Sequence, residues 1–308
     1  MRGCWFAYQP LNQQRVRDAL PATSTVKSLK HKLADRCRAL RQGWSQRQPA
    51  GIRNLADLTG RTALQKRNAT VAVIGAGDFI GGEIAKKFAS EGFTVFAGRR
   101  NGAKLEPLVK EIEKAGGEIH ARSLDARKEE EIISFLGDAD KHAPLEVCIF
   151  NVGANVNFPI LDTTERVFRK VWEMACYSGF LAGREAARLM LPRGKGNIFF
   201  TGATASLRGG SGYAAFASAK FGLRAVAQAT ARELGPKNIH VAHLIIDSGV
   251  DTEWVRQRRL EALGPGALDN PDLLMPPSSV AESYWLLYQQ PRSAWTFELE
   301  IRPFGEKW

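Results

Sequence analysis

Residues 70–100 read TVAVIGAGDFIGGEIAKKFASEGFTVFAGRR, and the architecture of the chain can be predicted outward from this stretch. It begins with an apolar, β-branched run over 70–74 and continues into a turn rich in glycine. A helical pattern over 81–91 follows, with its apolar residues on one side, and a second apolar run ends in two arginines. The order strand, glycine turn, helix, strand predicts one βαβ unit.

A glycine turn at this place suits the binding of a dinucleotide. Residues without a Cβ let backbone N–H groups approach a pyrophosphate closely, and the start of the following helix adds partial positive charge. The residues predicted to contact the phosphates are Gly75, Gly77, Ile80 and Gly81.

The rest of the chain repeats this alternation from residue 70 onward. Apolar runs lie at 70–74, 93–97, 117–124, 145–151, 196–201 and 239–246. Helical patterns lie near 81–91, 103–115, 127–136, 163–191 and 213–234, and the tail adds a helix near 278–289 and a strand at 295–301. Alternating strands and helices predict an α/β fold, a doubly wound parallel sheet of Rossmann type, built as a single domain over 68–308. The Gly- and Pro-rich region 263–279 is predicted to be a loop where a substrate lid would lie.

The positive charge of the chain is concentrated in its first 67 residues. The 308 residues hold 43 Lys and Arg against 32 Asp and Glu, for a net charge of +11. Residues 1–67 contain 14 of the basic residues and only 3 of the acidic ones, which leaves 29 of each for 68–308. We therefore treat 1–67 as a basic N-terminal extension whose charge is not a property of the predicted domain.

Within this extension, residues 23–44 have the pattern of a basic amphipathic helix with few acids. That pattern fits a mitochondrial presequence, so we expect a mitochondrial location in a eukaryote and a cytoplasmic one otherwise. An extension without function is an equally good interpretation, and contact with nucleic acid is a third and weaker one.

Other functional classes find little support in the sequence. The four cysteines have no CxxC spacing and are interpreted as reduced thiols, and the five histidines are scattered along the chain, so no metal site is predicted. No apolar stretch reaches the length of a membrane span.

With these features in hand, residues 68–308 resemble the short-chain dehydrogenase/reductase family. The resemblance rests on the glycine turn, on Asn151 in FNVG, on Lys220 at the end of FASAK and on the unbroken helical pattern after Lys220. It implies that Asp125 lies beside the adenine of a nicotinamide cofactor, that Asn151 and Gly153 lie near its ribose and nicotinamide, and that Lys220 binds the ribose hydroxyls.

The choice between NAD and NADP depends on the end of the second strand. An acidic residue there would bind the ribose 2′-hydroxyl of NAD, but this chain has Gly98 followed by Arg99 and Arg100. A guanidinium group suits a 2′-phosphate, so NADP is predicted over NAD. Two residues depart from this resemblance: Phe79 stands where the family has its middle glycine, and Asp78 stands where NADP-preferring relatives often have a basic residue.

The catalytic residues of the resembled family are mostly replaced. The resemblance implies a Tyr, a Lys, a Ser and an Asn, of which only Lys220 is present. Phe216 stands at the Tyr position, Ala203 at the Ser position and Cys176 at the Asn position. The usual proton transfer to a substrate oxyanion therefore cannot run in the usual way.

Substitute donors are available nearby. Tyr213 lies two helical turns before Lys220, a spacing similar to that of the branch of enoyl reductases, and Thr204 could supply a hydroxyl near the lost Ser. Asp247 could act as an acid or base if buried, or could cap a turn. The predicted catalytic set is Lys220, Tyr213 and Thr204.

Three functional hypotheses follow. The first is an NADP(H)-dependent oxidoreductase acting on an apolar carbonyl or enoyl substrate in a pocket formed by 152–160, 203–213 and 248–280. The second is a non-catalytic NADP(H)-binding sensor or scaffold. The third, a nucleic-acid-associated protein acting through 1–67, is the weakest. The helical patterns over 163–191 and 213–234 are rich in small residues. Because the family resemblance implies that this pair of helices forms a dimer interface, we expect a homodimer or homotetramer.

Overall fold

The computed structural model describes residues 65–306. The predicted N-terminal amphipathic helix, 23–44, lies outside the described residues. Seven strands are present in this part of the chain: β1 (Thr70–Ile74), β2 (Thr94–Arg99), β3 (Glu118–Ser123), β4 (Leu145–Phe150), β5 (Gly196–Ala203), β6 (Ile239–Ile246) and β7 (Glu298–Ile301). Each one coincides with a predicted apolar run to within a few residues.

The main helices alternate with these strands. They are α1 (Ile80–Ser90), α2 (Glu106–Lys114), α3 (Glu129–His142), α4 (Glu165–Trp172), α5 (Ser178–Met190), α6 (Ala214–Leu234), α7 (Glu253–Leu263) and α8 (Pro277–Gln289). Between 65 and 306, no helix is both long enough and apolar enough to cross a bilayer.

All seven strands pair in parallel in the order β3-β2-β1-β4-β5-β6-β7. The chain adds β2 and β3 on one side of β1, then crosses back and adds β4 to β7 on the other side. The strand order therefore reverses between β1 and β4, which are neighbours in the sheet. A ligand crevice forms at the carboxyl ends of the strands at such a point. The predicted doubly wound α/β fold is confirmed.

The sheet is covered on both faces, which is why its central strands are apolar throughout rather than alternating. In β4, Val147 and Ile149 pack in the core on one side, and Cys148 and Phe150 pack in the core on the other. Every residue of β1 is buried as well. The scaffold beneath the crevice is thus a two-sided apolar core.

Two elements differ from the predicted pattern. Helix α7 was not predicted, because it has no buried residue and therefore no apolar stripe in its sequence. It begins where the Thr252 hydroxyl accepts the N–H of Val255 at 3.2 Å, so that Thr252 caps the helix. The long helical pattern over 163–191 is interrupted by a π-helical turn, Glu173–Tyr177, between α4 and α5.

Candidate functional site

A cavity of about 540 Å³ opens at the carboxyl ends of the first four strands. The residues that line it include Gly75, Gly77, Arg99, Arg100, Asp125, Asn151 and Gly153, all of them predicted cofactor residues. Met174 and Ser178, in and after the π-helical turn, close another side. The remaining three predicted cofactor residues, Ile80, Gly81 and Lys220, are not part of the lining.

The glycine turn between β1 and α1 is held by close backbone contacts. Gly75 has a φ of +91°, and a Cβ there would lie 2.7 Å from the carbonyl oxygen of Asn151. A Cβ on Gly81 would lie 2.3 Å from the carbonyl oxygen of Gly75, so Gly81 permits the close packing of helix and turn. Gly77, in contrast, faces open space. Gly75 and Gly81 are thus required by close packing within the protein, and Gly77 leaves open space in the cavity near the start of α1.

The two arginines after β2 differ in their partners. Arg99 donates to the Asp78 carboxylate at 2.6 Å, so its charge already has a partner. Arg100 is exposed and has no ion pair within residues 65–306. Lys104, which also lines the cavity, is unpaired in the same part of the chain. Arg100 and Lys104 are therefore the cations that are available to a ligand phosphate, and Lys104 was missed in the sequence.

Asp125 is held by Arg127, another residue that the sequence did not single out. The Arg127 guanidinium donates to both carboxylate oxygens, at 2.9 and 2.6 Å. These hydrogen bonds, above all other effects, lower the pKa of Asp125. The carboxylate is therefore ionised and fixed at the adenine end implied by the family resemblance.

Lys220 lies behind the cavity, buried and pointing at two backbone carbonyls. Its Nζ donates to Thr201 O at 2.8 Å and to Val152 O at 3.3 Å. Burial lowers the pKa of Lys220 to about 8. On its other side the Nζ is 5.9 Å from the centre of the Phe216 ring.

A chain of hydrogen bonds fixes the end of β4. Thr201 Oγ1 donates to Asn151 Oδ1 at 3.0 Å, and Asn151 Nδ2 donates to Gly75 O at 3.1 Å. Since Thr201 has one proton, the buried Tyr284 hydroxyl must donate to Thr201 Oγ1, at 2.6 Å. Burial raises the pKa of Tyr284, which keeps the phenol protonated. Thr201 and Tyr284 were missed in the sequence because they lie far apart along the chain.

A second cavity, of about 610 Å³, lies at the carboxyl ends of β5 and β6 beneath α7. Its inner wall includes Ala203 and Phe216, the positions of the family's Ser and Tyr. Neither side chain has a proton to give. The lining comes largely from the segments predicted to form the substrate pocket and is partly apolar, but Arg208, Arg258 and Arg259 also line it, and these charges were not predicted.

The predicted substitute donors both lie in this cavity. Tyr213 precedes α6, packs with Phe216, and accepts a hydrogen bond from Arg258 Nη2 at 3.0 Å on its phenol oxygen. Its proton is therefore not engaged by Arg258, which can only donate. Thr204 also lines the cavity, but its hydroxyl donates to the Asp247 carboxylate.

Asp247 is a buried, paired carboxylate at the end of β6. Arg208 donates to both of its oxygens at 3.2 Å, and Arg302 Nη2 is 2.5 Å from Oδ2. Burial by itself would raise the pKa of Asp247, but the hydrogen bonds from Thr204 and Arg208 and the charges of Arg208 and Arg302 outweigh it, and the pKa is lowered. The structure therefore favours a structural ion pair over acid–base chemistry, a role that differs from both predicted ones, the acid or base and the turn cap.

Two of the histidines are not scattered in space. His120 on β3 and His142 at the end of α3 meet beside Glu118, with their candidate ligand atoms all within 4.8 Å of one another. Glu118 is also paired with Lys66 at 3.1 Å. The cluster could not be recognised in the sequence because His142 lies far from Glu118 and His120 along the chain. None of the three residues lines either cavity.

The comparisons with known proteins agree with this geometry. The sequence profile described as short chain dehydrogenase matches residues 69–262. This chain therefore belongs to the short-chain dehydrogenase family. A crystal structure of a short-chain dehydrogenase from Rhodopseudomonas palustris is 71% identical and has a TM-score of 0.68, covering 77% of this chain and all of that one.

More distant relatives have specific names. An NADPH-dependent 1-acyldihydroxyacetone phosphate reductase of Saccharomyces cerevisiae is 29% identical over 64% of this chain and 66% of its own length. A very-long-chain 3-oxoacyl-CoA reductase of Podospora anserina is 27% identical over 65% of this chain and 60% of its own. The match thus spans less than two thirds of either relative. An actinorhodin polyketide ketoreductase with NADPH, 23% identical, has the same fold, with a TM-score of 0.70 and coverage of 77% and 98%.

Proposed function

We propose that this chain is an NADP(H)-dependent oxidoreductase that reduces a carbonyl or enoyl substrate in a rearranged active site. One observation carries the proposal: Lys220 contacts a lining residue of each cavity, donating to Val152 O at the first and lying 5.9 Å from the centre of the Phe216 ring at the second. A cofactor in the first cavity and a substrate in the second would therefore both lie next to residues that Lys220 contacts.

The first cavity suits a phosphorylated nicotinamide dinucleotide. The glycine turn leaves room for a pyrophosphate, and its lining has four basic residues, Arg99, Arg100, Lys104 and Arg127, against the single carboxylate of Asp125. The name of the yeast relative, an NADPH-dependent reductase, supports the same cofactor. When bound, such a cofactor supplies or accepts a hydride.

The residues of the chain then have distinct roles. Lys220 would bind ribose hydroxyls, with its orientation fixed by the carbonyls of Thr201 and Val152. Tyr213 would give its phenolic proton to the oxygen that becomes negative when carbon is reduced, and Arg258 at 3.0 Å would stabilise the charge left on the phenol. Thr204 would have a lesser part, since its hydroxyl is engaged by Asp247.

A non-catalytic NADP(H)-binding sensor is the second candidate, and one observation favours it. Ala203 and Phe216 present no proton beside Lys220, and the nearby carboxylate of Asp247 is neutralised by two arginines. A protein of this kind would need the first cavity but no proton donor.

Turnover separates the two candidates. The full chain would be mixed with NADPH and a panel of aldehydes, ketones and enoyl thioesters, with cofactor fluorescence for binding and absorbance at the nicotinamide band for oxidation. We expect binding and oxidation, with kcat lowered roughly 100-fold or more in Tyr213→Phe. Binding without oxidation of any substrate would favour the sensor, and full activity of Tyr213→Phe would remove Tyr213 from the mechanism.

We also propose a homodimer or homotetramer formed through α4, α5 and α6. These helices expose four large aromatic residues, Phe168, Trp172, Phe180 and Phe221. Exposed aromatic clusters of this kind mark protein interfaces. Light scattering on the full chain should give a mass of at least two chains, and Phe180→Glu should lower it.

For residues 1–67 we propose a basic extension that directs the protein to mitochondria if the host has them. Its basic, acid-poor composition is the support. Sequencing the N-terminus of the protein purified from its own cells would test it, since a presequence is removed on import.

A further inference from the structure

We propose that the substrate of this enzyme carries an anionic head group, a carboxylate or a phosphate, that is bound by Arg258 and Arg259 at the α7 wall of the second cavity. This inference deepens the proposed function and rests on the second cavity being the substrate site. It begins from charge: three arginines line the cavity, and no carboxylate residue is among the described residues of its lining.

These three arginines are not equivalent. Arg208 is compensated by Asp247, with two hydrogen bonds of 3.2 Å. Arg258 and Arg259 form no ion pair with any residue between 65 and 306, and the acceptors that they do have are neutral. On the same helix, Arg256 pairs with Asp251 at 2.7 Å, outside the cavity. The unpaired positive charge of α7 is therefore confined to the two arginines that line the cavity, whereas Glu253 and Glu261, which also form no ion pair between residues 65 and 306, are not part of the lining.

Both guanidinium groups are held in place before any ligand arrives. The Arg258 guanidinium lies 5.3 Å from the ring centre of Trp254 and donates to Tyr213 at 3.0 Å. Arg259 Nε donates to the carbonyl of Ala267 at 3.0 Å. Each group keeps several N–H donors unused, and a fixed guanidinium fork with free donors matches the oxygens of a carboxylate or phosphate.

The rest of the cavity limits what is attached to the head group. Besides the arginines, its lining includes the apolar residues Phe216, Ile246, Trp254, Val255 and Leu263, the last three on α7 itself. The ligand is therefore an amphiphile, with an anionic group at Arg258 and Arg259 and an apolar part along these residues. Arg258 also donates a hydrogen bond to Tyr213, so the anionic head group would be bound next to the proposed proton donor. The carbonyl or enoyl group of the substrate would therefore lie only a short distance from its anionic group.

Binding of small probes tests this without turnover. Nonanoate, octyl phosphate and 1-octanol share one octyl chain and differ only in the head group, and each would be titrated calorimetrically into the full chain saturated with NADPH. We expect at least one anion to bind roughly tenfold or more tightly than octanol, with an affinity that falls as salt is added. The head group that binds more tightly, carboxylate or phosphate, identifies the source of the anion.

Matched variants locate the effect. The double variant Arg258→Gln, Arg259→Gln should lower the affinity for the anionic probe roughly tenfold or more and leave the affinity for octanol unchanged. Arg256→Gln should change neither affinity. Equal binding of the three probes, no binding of any of them, or an equal loss in Arg256→Gln would overturn the proposal. NADPH affinity, measured separately, reports on the proposed function itself, so failure of the anion site and failure of the cofactor site give different results.

Discussion

The substitution Asp247→Asn tests whether this carboxylate is a structural ion pair or an acid in the active site. The Asp247 side chain is 1% exposed, and it lies between an Arg208 side chain that is 59% exposed and an Arg302 side chain that is 13% exposed. Removing one member of a fully buried pair costs about 3–5 kcal/mol, because the partner is left buried and charged. Here Arg208 can turn to solvent and Arg302 keeps Glu300, so we expect a smaller loss, about 2 kcal/mol in the free energy of unfolding.

The matched control is Asp251→Asn, which breaks the exposed pair of Asp251 with Arg256. We expect that change to cost about 0.5 kcal/mol. Urea unfolding of the full chain, followed by circular dichroism, measures both. The pKa of Asp247 is lowered in the folded protein, so its stabilising contribution is present above the unfolded pKa, about 3.9, and is lost as the pH falls through the folded pKa. The difference between wild type and Asp247→Asn should therefore shrink below about pH 4.

Two results would refute this reasoning. Equal losses for Asp247→Asn and Asp251→Asn would mean that burial adds nothing to the Asp247 pair. An Asp247→Asn variant that is as stable as wild type but has lost its turnover would mean that the carboxylate acts in the reaction rather than in the fold.

Three further predictions concern the cofactor cavity. Arg100→Gln should lower the affinity for NADPH roughly tenfold and leave the affinity for NADH unchanged. Arg99→Gln should have a smaller effect because the charge of Arg99 is already paired, and fluorescence titration with both cofactors measures these affinities. Tyr284→Phe should lower the free energy of unfolding by about 1–2 kcal/mol, since it removes a buried hydrogen bond, and an unchanged urea midpoint would contradict the hydrogen-bond chain proposed for this side chain. Gly81→Ala should destabilise the chain because its Cβ would meet backbone at 2.3 Å, whereas Gly77→Ala should keep its stability and lose only cofactor affinity; thermal unfolding compares the two.

Elements with a buried face were predictable from the sequence. The apolar runs of β1, β2, β4, β5 and β6 have nearly the lengths of the strands, because strands covered on both sides must be apolar along their whole length. The edge strand β3 was located as well, although only Ile119 of its six residues is buried. Helix α7 could not be found in this way, since none of its residues is buried and its sequence shows no periodic apolar face. The Thr252 cap followed by Glu253 was its one signal.

For the site, the residues of local turns were predictable and the contacts between distant segments were not. Gly75 and Asn151 were identified by the motifs in which they stand. The pairing of Arg99 with Asp78, the approach of Arg258 to Tyr213 and the hydrogen bond from Tyr284 to Thr201 all depend on how remote segments pack. The positive charge of Arg258 and Arg259 in the second cavity was also missed, because these residues lie on α7, a helix whose sequence has no periodic apolar face.

The most direct test of the central claim, an NADP(H) site at the β1–β4 reversal point, is a calorimetric titration of the full chain with NADPH and with NADH at one fixed salt concentration. We expect NADPH to bind roughly tenfold or more tightly than NADH, because Arg100 and Lys104 are available to the additional phosphate. Absence of affinity for both cofactors, or tighter binding of NADH, would contradict the account.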